Sequence, residues 1–102
     1  MIVQQYFYIY ICTNPKKTVL YTGISNNVWR RMKEHFEDSQ NKRKSFAGKY
    51  HCYNLIYFEE YTDVEVAITR EKEIKGWTRA KKEVLINSVN PKWEFIDVKT
   101  ED

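Results

Sequence analysis

The chain has 102 residues and a mass of 12.4 kDa, the size of one small domain. Its hydrophobic fraction of 42%, charged fraction of 30% and mean hydropathy of −0.70 exclude a collagen-like or disordered chain. The longest apolar run, residues 6–12, is far shorter than the roughly 20 residues of a membrane-spanning helix. The N-terminus shows no signal-peptide pattern, so we expect a cytoplasmic protein with no membrane partner.

The net charge of +3 is the sum of two opposite segments. Residues 16–49 carry nine Lys/Arg and three acids, whereas residues 50–102 carry eight Lys/Arg and eleven acids. A basic segment of this kind is typical of a polyanion partner, but also of ordinary solvated helix faces. Charge alone therefore leaves the partner open.

The first half of the chain predicts a β-hairpin followed by a helix. Residues 6–12 are aromatic and β-branched, which indicates a strand with Tyr8 and Tyr10 on one face. A turn at Asn14-Pro15 and a second strand over 18–22 complete the hairpin, and Gly23 is expected to end it. A helix over 27–38 follows, and Ser25-Asn26-Asn27 offers side-chain acceptors for its N-terminus. Its predicted apolar stripe consists of Val28, Met32 and Phe36.

The second half predicts a strand and two helices after a long polar loop over 39–51. The strand covers 53–60, and a capping box from Thr62 to Glu65 opens the next helix. Gly76 ends that helix, and Thr78 caps the last one, over 79–88. The expected inner faces of the two helices consist of Val64, Ala67, Ile68, Ile74, Ala80, Val84 and Leu85. We predict a single α+β domain over 1–102, with a three-stranded, mainly antiparallel sheet, element order β-β-α-β-α-α and a frayed tail over 97–102.

Glu71 is an anomaly in this pattern, because it falls on the apolar face of its predicted helix. Burying a carboxylate costs several kcal/mol unless it is paired or binds a metal. A salt bridge to Arg70, Lys75 or Arg31 is the simplest alternative to a functional role.

Two further pairs are candidates for chemistry. Arg31 and His35 lie one helical turn apart, where they could hold a phosphate and move a proton, or form a plain surface stripe. Tyr10 and Tyr21 lie on adjacent predicted strands, where two phenols are ordinarily packing residues. Cys12 and Cys52 form no CxxC pair, so a zinc site is not expected. Since no secretion signal is visible, a disulfide between them is not expected either.

Taken in order, these residues resemble the GIY-YIG nuclease domain. Tyr8-Ile9-Tyr10 is followed after ten residues by Tyr21-Thr22-Gly23, and then by Arg31 and His35 on a helix and Glu71 on a later helix. The similarity extends over about 6–96 and is strongest to small single-domain members related to the N-terminal domain of the UvrC excinuclease subunit. Tyr8 replaces the first glycine of the pattern and Thr22 replaces an isoleucine, and neither change removes a catalytic group.

The resemblance implies a divalent-metal-dependent endonuclease that cleaves DNA, with RNA not excluded and a role in DNA repair or processing. It assigns Tyr10 as a general base or partner of the attacking water, and Tyr21 as a group that positions phosphate or water. It assigns Arg31 to charge stabilisation, His35 to proton transfer and Glu71 to holding one Mg²⁺ or Mn²⁺. Supporting positions are Tyr8 and Asn90, and the candidate phosphate-binding residues are Lys42, Arg43, Lys44, Lys49, Lys81 and Lys82.

Two alternatives remain open at this point. The fold can serve as a nucleic-acid-binding module without turnover, or as a protein-interaction domain that uses its aromatic surface. The first alternative predicts DNA binding that responds to salt but not to a chelator. The second predicts no nucleic-acid binding.

Overall fold

A computed structural model describes residues 4–41 and 45–96 of the chain. Its elements are β1 Phe7–Thr13, β2 Leu20–Ser25, α1 Val28–Gln40, α2 Phe46–Lys49, β3 Asn54–Tyr61, α3 Val64–Lys75 and α4 Arg79–Val89. The strands form one antiparallel sheet in the order β2-β1-β3. The predicted α+β class and the order of strands and longer helices are confirmed, and α2 is an additional short helix inside the segment predicted as a loop. Lys42, Arg43 and Lys44 and the tail 97–102 lie outside the described residues.

The central strand β1 separates two cores, because its side chains alternate between the faces of the sheet. Ile9 and Ile11 pack with residues of α3 and α4 on one face. Tyr10 and Cys12 pack with residues of α1 and α2 on the other. Helices therefore cover both faces, and the predicted alternation along β1 is confirmed.

The hairpin is closed by side chains of its turn. The Thr13 hydroxyl donates to the carbonyl oxygen of Val19 at 2.6 Å, and Asn14 Oδ1 accepts from the backbone N–H groups of Thr18 and Val19. β2 then continues to Ser25, so the prediction that Gly23 ends this strand is wrong. Gly23 instead lies within the ladder, directly opposite Tyr10.

Helix α1 begins after Asn27, whose side chain accepts from the Arg30 N–H, as the sequence predicts. Its buried row is Val28, Met32, His35 and Ser39, so the prediction that Phe36 completes this row is wrong. His35 is 1% exposed and Phe36 is 45% exposed. A buried imidazole is tolerated here because it finds a hydrogen-bond partner on the sheet.

Helix α3 starts from a different cap than predicted. Asp63, not Thr62, is the N-cap residue and accepts from the N–H groups of Glu65 and Val66. Ala67 and Ile74 are buried as predicted, whereas Val64 and Ile68 are exposed. The helix thus contacts the sheet along a line narrower than the predicted face.

Helix α4 follows the same pattern. Thr78 caps it by accepting from the Lys81 N–H, and Gly76 caps the end of α3, both as predicted. Ile86 is buried and Leu85 is partly buried against the same core. Ala80 and Val84 are exposed, so the prediction of an inner face is wrong at these two positions. A three-stranded sheet is too narrow to cover wide faces of two helices at once.

The chain after α4 returns to the sheet. Asn90 donates from its amide to the carbonyl oxygens of Ile56 and Glu94, and the Ile96 N–H donates to Leu55 O at 2.7 Å. Trp93 and Ile96 thus pack back onto the fold, one against each core. None of the helices in the described part of the chain has the length and apolar composition needed to cross a bilayer.

Candidate active site

The site is built around a buried pair, Tyr10 on β1 and His35 on α1. The Tyr10 hydroxyl lies 2.8 Å from His35 Nε2, and both residues are at most 1% exposed. His35 Nδ1 is buried and makes no hydrogen bond within residues 4–41 and 45–96. A phenol and an imidazole joined in this way can exchange a proton along their hydrogen bond.

Burial keeps both members of the pair neutral. It raises the pKa of Tyr10, an effect that nearby Cys12 and Tyr21 reinforce and that the positive charge of Arg31 opposes. It also lowers the pKa of His35 to about 4, and Arg31 acts in the same direction. At neutral pH the pair is therefore an uncharged phenol beside an uncharged imidazole, and burial makes His35 a weaker proton acceptor than a solvated imidazole.

Tyr21, near the start of edge strand β2, extends this centre towards the surface. Its ring centroid lies 6.3 Å from that of Tyr10 and 5.5 Å from that of His35, edge to face with the imidazole. On its other side it stacks on Phe46 of α2 at 5.7 Å. The sequence-predicted residues Tyr10, Tyr21 and His35 thus share one contact network.

Arg31, one turn before His35, completes the cationic side of the site. It donates to Glu34 Oε1 at 2.9 Å and is near enough to Tyr10 to oppose the rise in that residue's pKa. Beyond it lies a cleft of about 320 Å³ that is also lined by Glu34, Glu37 and Asp38. Acidic side chains repel a polyanion, so a phosphate approaches the Arg31 guanidinium more favourably from the side that faces Tyr10.

Glu71 of α3 joins the site through Lys75 and not by direct contact with Tyr10. Its side chain is 14% exposed, and Oε2 pairs with Lys75 Nζ at 3.2 Å. Lys75 Nζ in turn lies 5.8 Å from the ring centroid of Tyr21, at the edge of the sheet. Arg70, another partner considered for Glu71, binds Glu59 through two hydrogen bonds of 2.9 Å, and Arg31 binds Glu34.

Glu71 has the properties of a partial metal ligand. Its Oε1 has no hydrogen bond or ion pair among the described residues, and no group of three His, Cys, Asp or Glu side chains there could hold an ion. One carboxylate oxygen with waters in the remaining positions suits Mg²⁺, which dehydrates reluctantly and keeps several waters. A single carboxylate fits a hard divalent cation that keeps its waters better than zinc, whose protein sites combine three or four side-chain ligands.

The candidate phosphate-binding residues within the described part of the chain lie at different places on the surface. Lys82 is half-buried, and burial together with the charge of Lys75 lowers its pKa, so the two ammonium groups are neighbours. Lys49 lies over the Tyr50 ring and Lys81 over the Trp77 ring. Lys75 therefore places positive charge at Tyr21 and Lys82 lies next to Lys75, whereas Lys49 lies on Tyr50 and Lys81 on Trp77.

The two supporting candidates have mainly structural contacts. Tyr8 lies on the same face of β1 as Tyr10 and packs edge to face against Trp29 and Phe58. Asn90 uses its side chain to join the end of α4 to β3 and to the following turn. Neither is in contact with the Tyr10–His35 pair.

Sequence reasoning missed the contacts of Lys75 and Phe46 with Tyr21 and the close approach of Gly23 to Tyr10. Lys75 appears there only as an ion-pair partner, although its spacing of four residues from Glu71 places both on one helix face. Gly23 has no room for a side chain, since a Cβ would lie 2.3 Å from the Tyr10 hydroxyl oxygen. Phe46 falls in the segment predicted as a loop, and no signal in the sequence connects it to Tyr21.

The low pKa of His35 predicts a pH-dependent stability. The unfolded chain protonates this residue near pH 6.5 and the folded protein only near pH 4, so stability is fully present above 6.5 and falls as pH decreases towards 4. We expect a loss of at most about 3 kcal/mol between pH 7 and pH 4 from this group. Urea unfolding at several pH values measures it.

Two histidine variants isolate the contribution. His35→Gln should flatten the pH dependence between 4 and 6.5, whereas His51→Asn, at an exposed position with φ of 58°, should leave it unchanged. Equal slopes for wild type and His35→Gln would contradict a neutral buried His35.

Three comparisons with known proteins bear on this arrangement. A family model described as the GIY-YIG catalytic domain matches residues 6–84. A UPF0213 protein of Natronomonas pharaonis is 36% identical over 86 residues, covering 84% of this chain and 94% of the relative. A UPF0213 protein of Clostridium perfringens is 37% identical over 89 residues, covering 87% of this chain and 89% of the relative. The solution NMR structure of a UPF0213 protein from Bacillus halodurans matches with a TM-score of 0.55 and 26% identity, over 86% of this chain and 89% of that one.

Proposed function

Since this chain belongs to the GIY-YIG family of nucleases, we propose that it is a metal-dependent endonuclease that hydrolyses DNA phosphodiester bonds. The observation that carries the proposal is the buried Tyr10–His35 hydrogen bond. The positive charge of Arg31 lies near Tyr10, and the Tyr21 ring packs against the His35 imidazole. Hydrolysis of a phosphodiester needs a proton acceptor for water and cationic groups at the phosphoryl oxygens. These residues supply both.

The proton path starts at Tyr10. With the imidazole proton on Nδ1, His35 Nε2 accepts from the Tyr10 hydroxyl. As water attacks phosphorus, the water proton moves to Tyr10 Oη and the phenolic proton moves to His35 Nε2. This relay avoids a free phenolate, which the raised pKa of Tyr10 disfavours. The His35 imidazolium that it forms is transient, because burial and Arg31 lower the pKa of this group.

Positively charged side chains stabilise the negative charge that develops on the phosphate. Arg31 offers a planar guanidinium to the phosphoryl oxygens, and Lys75 and Lys82 lie on the Glu71 side of Tyr21. A divalent cation held by Glu71 would supply Lewis-acid stabilisation of the same charge. Lys49 and, outside the described residues, Lys42, Arg43 and Lys44 are proposed to bind backbone phosphates without reading sequence.

Cleavage of a panel of supercoiled, duplex, branched and single-stranded DNA in Mg²⁺ or Mn²⁺ tests the proposal. We expect cleavage that EDTA stops. Salt-sensitive binding without any cleavage would favour a binding module, and absence of binding would favour a protein-interaction domain.

Arg31→Lys should lower the cleavage rate about tenfold, because an ammonium keeps the charge but loses the two-pronged contact with phosphate. Arg30→Lys is the matched control, since Arg30 is the neighbouring, exposed arginine of the same helix and also pairs with Glu34. Initial rates at saturating DNA measure both variants. Equal rates for the two would remove Arg31 from the mechanism.

A further inference from the structure

Helix α2 buries its small residues and exposes a large aromatic one, which is the reverse of the usual arrangement. Its small residues Ala47 and Gly48 are buried, whereas Phe46 is 48% exposed and Tyr50, which follows the helix, is 41% exposed. Burial of a large aromatic side chain is worth more than burial of alanine, so folding energy alone does not favour this orientation. The exposed rings call for another explanation.

The helix is held firmly in this orientation. Ser45 caps it by accepting from the Gly48 N–H at 3.0 Å, and the Cys52 N–H donates to Ala47 O at 2.9 Å. Gly48 packs so closely on α1 that a Cβ would lie 2.9 Å from Asp38 Cβ. No larger residue fits between α2 and α1, and the two aromatic rings remain on the outer side.

The exposed rings continue the aromatic contacts of the candidate active site outward. Phe46 stacks on Tyr21 at 5.7 Å with an interplanar angle of 26°, and Phe46 and Tyr50 lie 4.7 Å apart. Tyr21 contacts His35 and Tyr10 on its inner side. We call Phe46 and Tyr50 the aromatic step, because they continue outward from Tyr21, first Phe46 and then Tyr50.

Positive charge accompanies the aromatic step. Lys49 Nζ lies 5.4 Å from the ring centroid of Tyr50, and Lys75 Nζ lies 5.8 Å from that of Tyr21. Aromatic faces flanked by cations are the combination that binds single-stranded nucleic acid, where bases stack on the rings and phosphates meet the charges. In a continuous duplex both faces of each base are already stacked.

We propose that the aromatic step is a base-stacking subsite that takes an unpaired nucleotide next to the phosphodiester bond to be cleaved. This rests on the proposed nuclease function and narrows its substrate to DNA with single-stranded character at the cleavage point. Stacking does not distinguish the four bases, so the subsite selects for unpaired structure and not for sequence.

Binding in EDTA tests the subsite separately from cleavage. We expect Phe46→Ala and Tyr50→Ala each to weaken binding of a single-stranded oligonucleotide by about fivefold to a hundredfold, and binding of a blunt duplex by less than about twofold. Fluorescence anisotropy measures both. Because no charge is removed, the dependence of binding on salt should keep its slope.

Phe36→Ala is the matched control, because Phe36 is a comparably exposed aromatic residue on α1 that contacts Tyr53 and not Tyr21. It should leave both affinities unchanged. An oligonucleotide with 2-aminopurine at successive positions adds a direct readout of stacking. Wild type should quench its fluorescence at one or two positions, and Phe46→Ala should abolish that quenching.

The outcomes separate the two proposals. Equal weakening of single-stranded and duplex DNA, an equal effect of Phe36→Ala, or unchanged quenching in Phe46→Ala would overturn the subsite even if the protein cleaves DNA. Selective loss of single-strand binding would support the subsite even if no cleavage were detected, and the nuclease proposal alone would then fail.

Discussion

Glu71→Gln should lower the rate of metal-dependent DNA cleavage by at least about a hundredfold while leaving the fold intact. The amide keeps the shape of the side chain and can still accept from Lys75, but it loses the charge that a hard cation requires. A metal ion contributes several kcal/mol of charge stabilisation in the transition state, which corresponds to a rate effect of this size. Single-turnover cleavage in Mg²⁺ or Mn²⁺ measures it.

The free energy of unfolding should change by less than about 0.5 kcal/mol in this variant. The lost interaction is an i,i+4 helix pair whose lysine is 47% exposed, and such pairs contribute little. DNA binding in EDTA should be unchanged or slightly tighter, because the change removes one negative charge near the phosphates. A binding module without turnover predicts the same binding but no cleavage in either protein.

Two variants show whether Glu71 acts only as the partner of Lys75. Glu73→Gln makes the same chemical change on the same helix and removes an ion pair with Arg70, and it should cleave DNA at nearly the wild-type rate. Lys75→Met removes the ion pair but keeps the Glu71 carboxylate. If Glu71 only positions Lys75, the Glu71→Gln and Lys75→Met rates fall equally, whereas a metal-holding Glu71 makes the first loss much larger.

Local signals in the sequence predicted those parts of the fold that local interactions decide. The alternation along β1, the caps at Asn27 and Thr78 and the helix end at Gly76 each depend on residues within a few positions. At these positions short-range patterns are sufficient to predict the local structure.

The same signals failed where a distant partner decides which side chain is buried. Apolar spacing in α1 favours Phe36 over His35, but the Tyr10 hydroxyl, 25 residues earlier, gives the imidazole a hydrogen bond inside the core. Asp63 displaces Thr62 as a cap for a related reason, since both residues are suitable and only the chain path into α3 selects between them. Periodicity does not contain that information.

For the candidate site, the order of residues along the chain indicated the chemistry, but the contacts among the side chains are visible only in the folded structure. Tyr10, Tyr21, Arg31 and His35 were recognisable as a set only through the resemblance to a family. Their contacts, and the way Lys75 links Glu71 to Tyr21, depend on how α1 and α3 pack against the sheet. The exposed orientation of Phe46 also depends on tertiary packing, because it follows from the close contact of Gly48 with α1.

The largest effect on stability is expected for Gly23→Ala. In the β1–β2 ladder Gly23 lies opposite Tyr10, whose ring crosses directly over it. A Cβ at this position would lie 2.3 Å from the hydroxyl oxygen and 2.4 Å from Cζ of Tyr10. The ring is fully buried and held by His35, so it has no free space into which it can rotate.

We expect Gly23→Ala to reduce the free energy of unfolding by about 2–3 kcal/mol, the usual range for overpacking a core. For a chain of this size that corresponds to a decrease of roughly 10 °C or more in Tm, measured by circular dichroism. Cleavage should fall as well, because the displaced ring no longer aligns its hydroxyl with His35.

Gly76→Ala is the control that separates a steric cause from a general intolerance of glycine substitution. Gly76 has φ of −80° and ψ of −7°, and the nearest atom to a Cβ there is the Glu73 carbonyl oxygen at 3.5 Å, an ordinary contact. Its replacement should be neutral or stabilise the protein by up to about 1 kcal/mol, because alanine restricts the unfolded chain more than glycine does. If both variants lose the same stability, the close approach of Tyr10 is not the reason for glycine at position 23. If only Gly23→Ala lowers the Tm, glycine is required at this position because it leaves space for the Tyr10 phenol that the proposed mechanism uses.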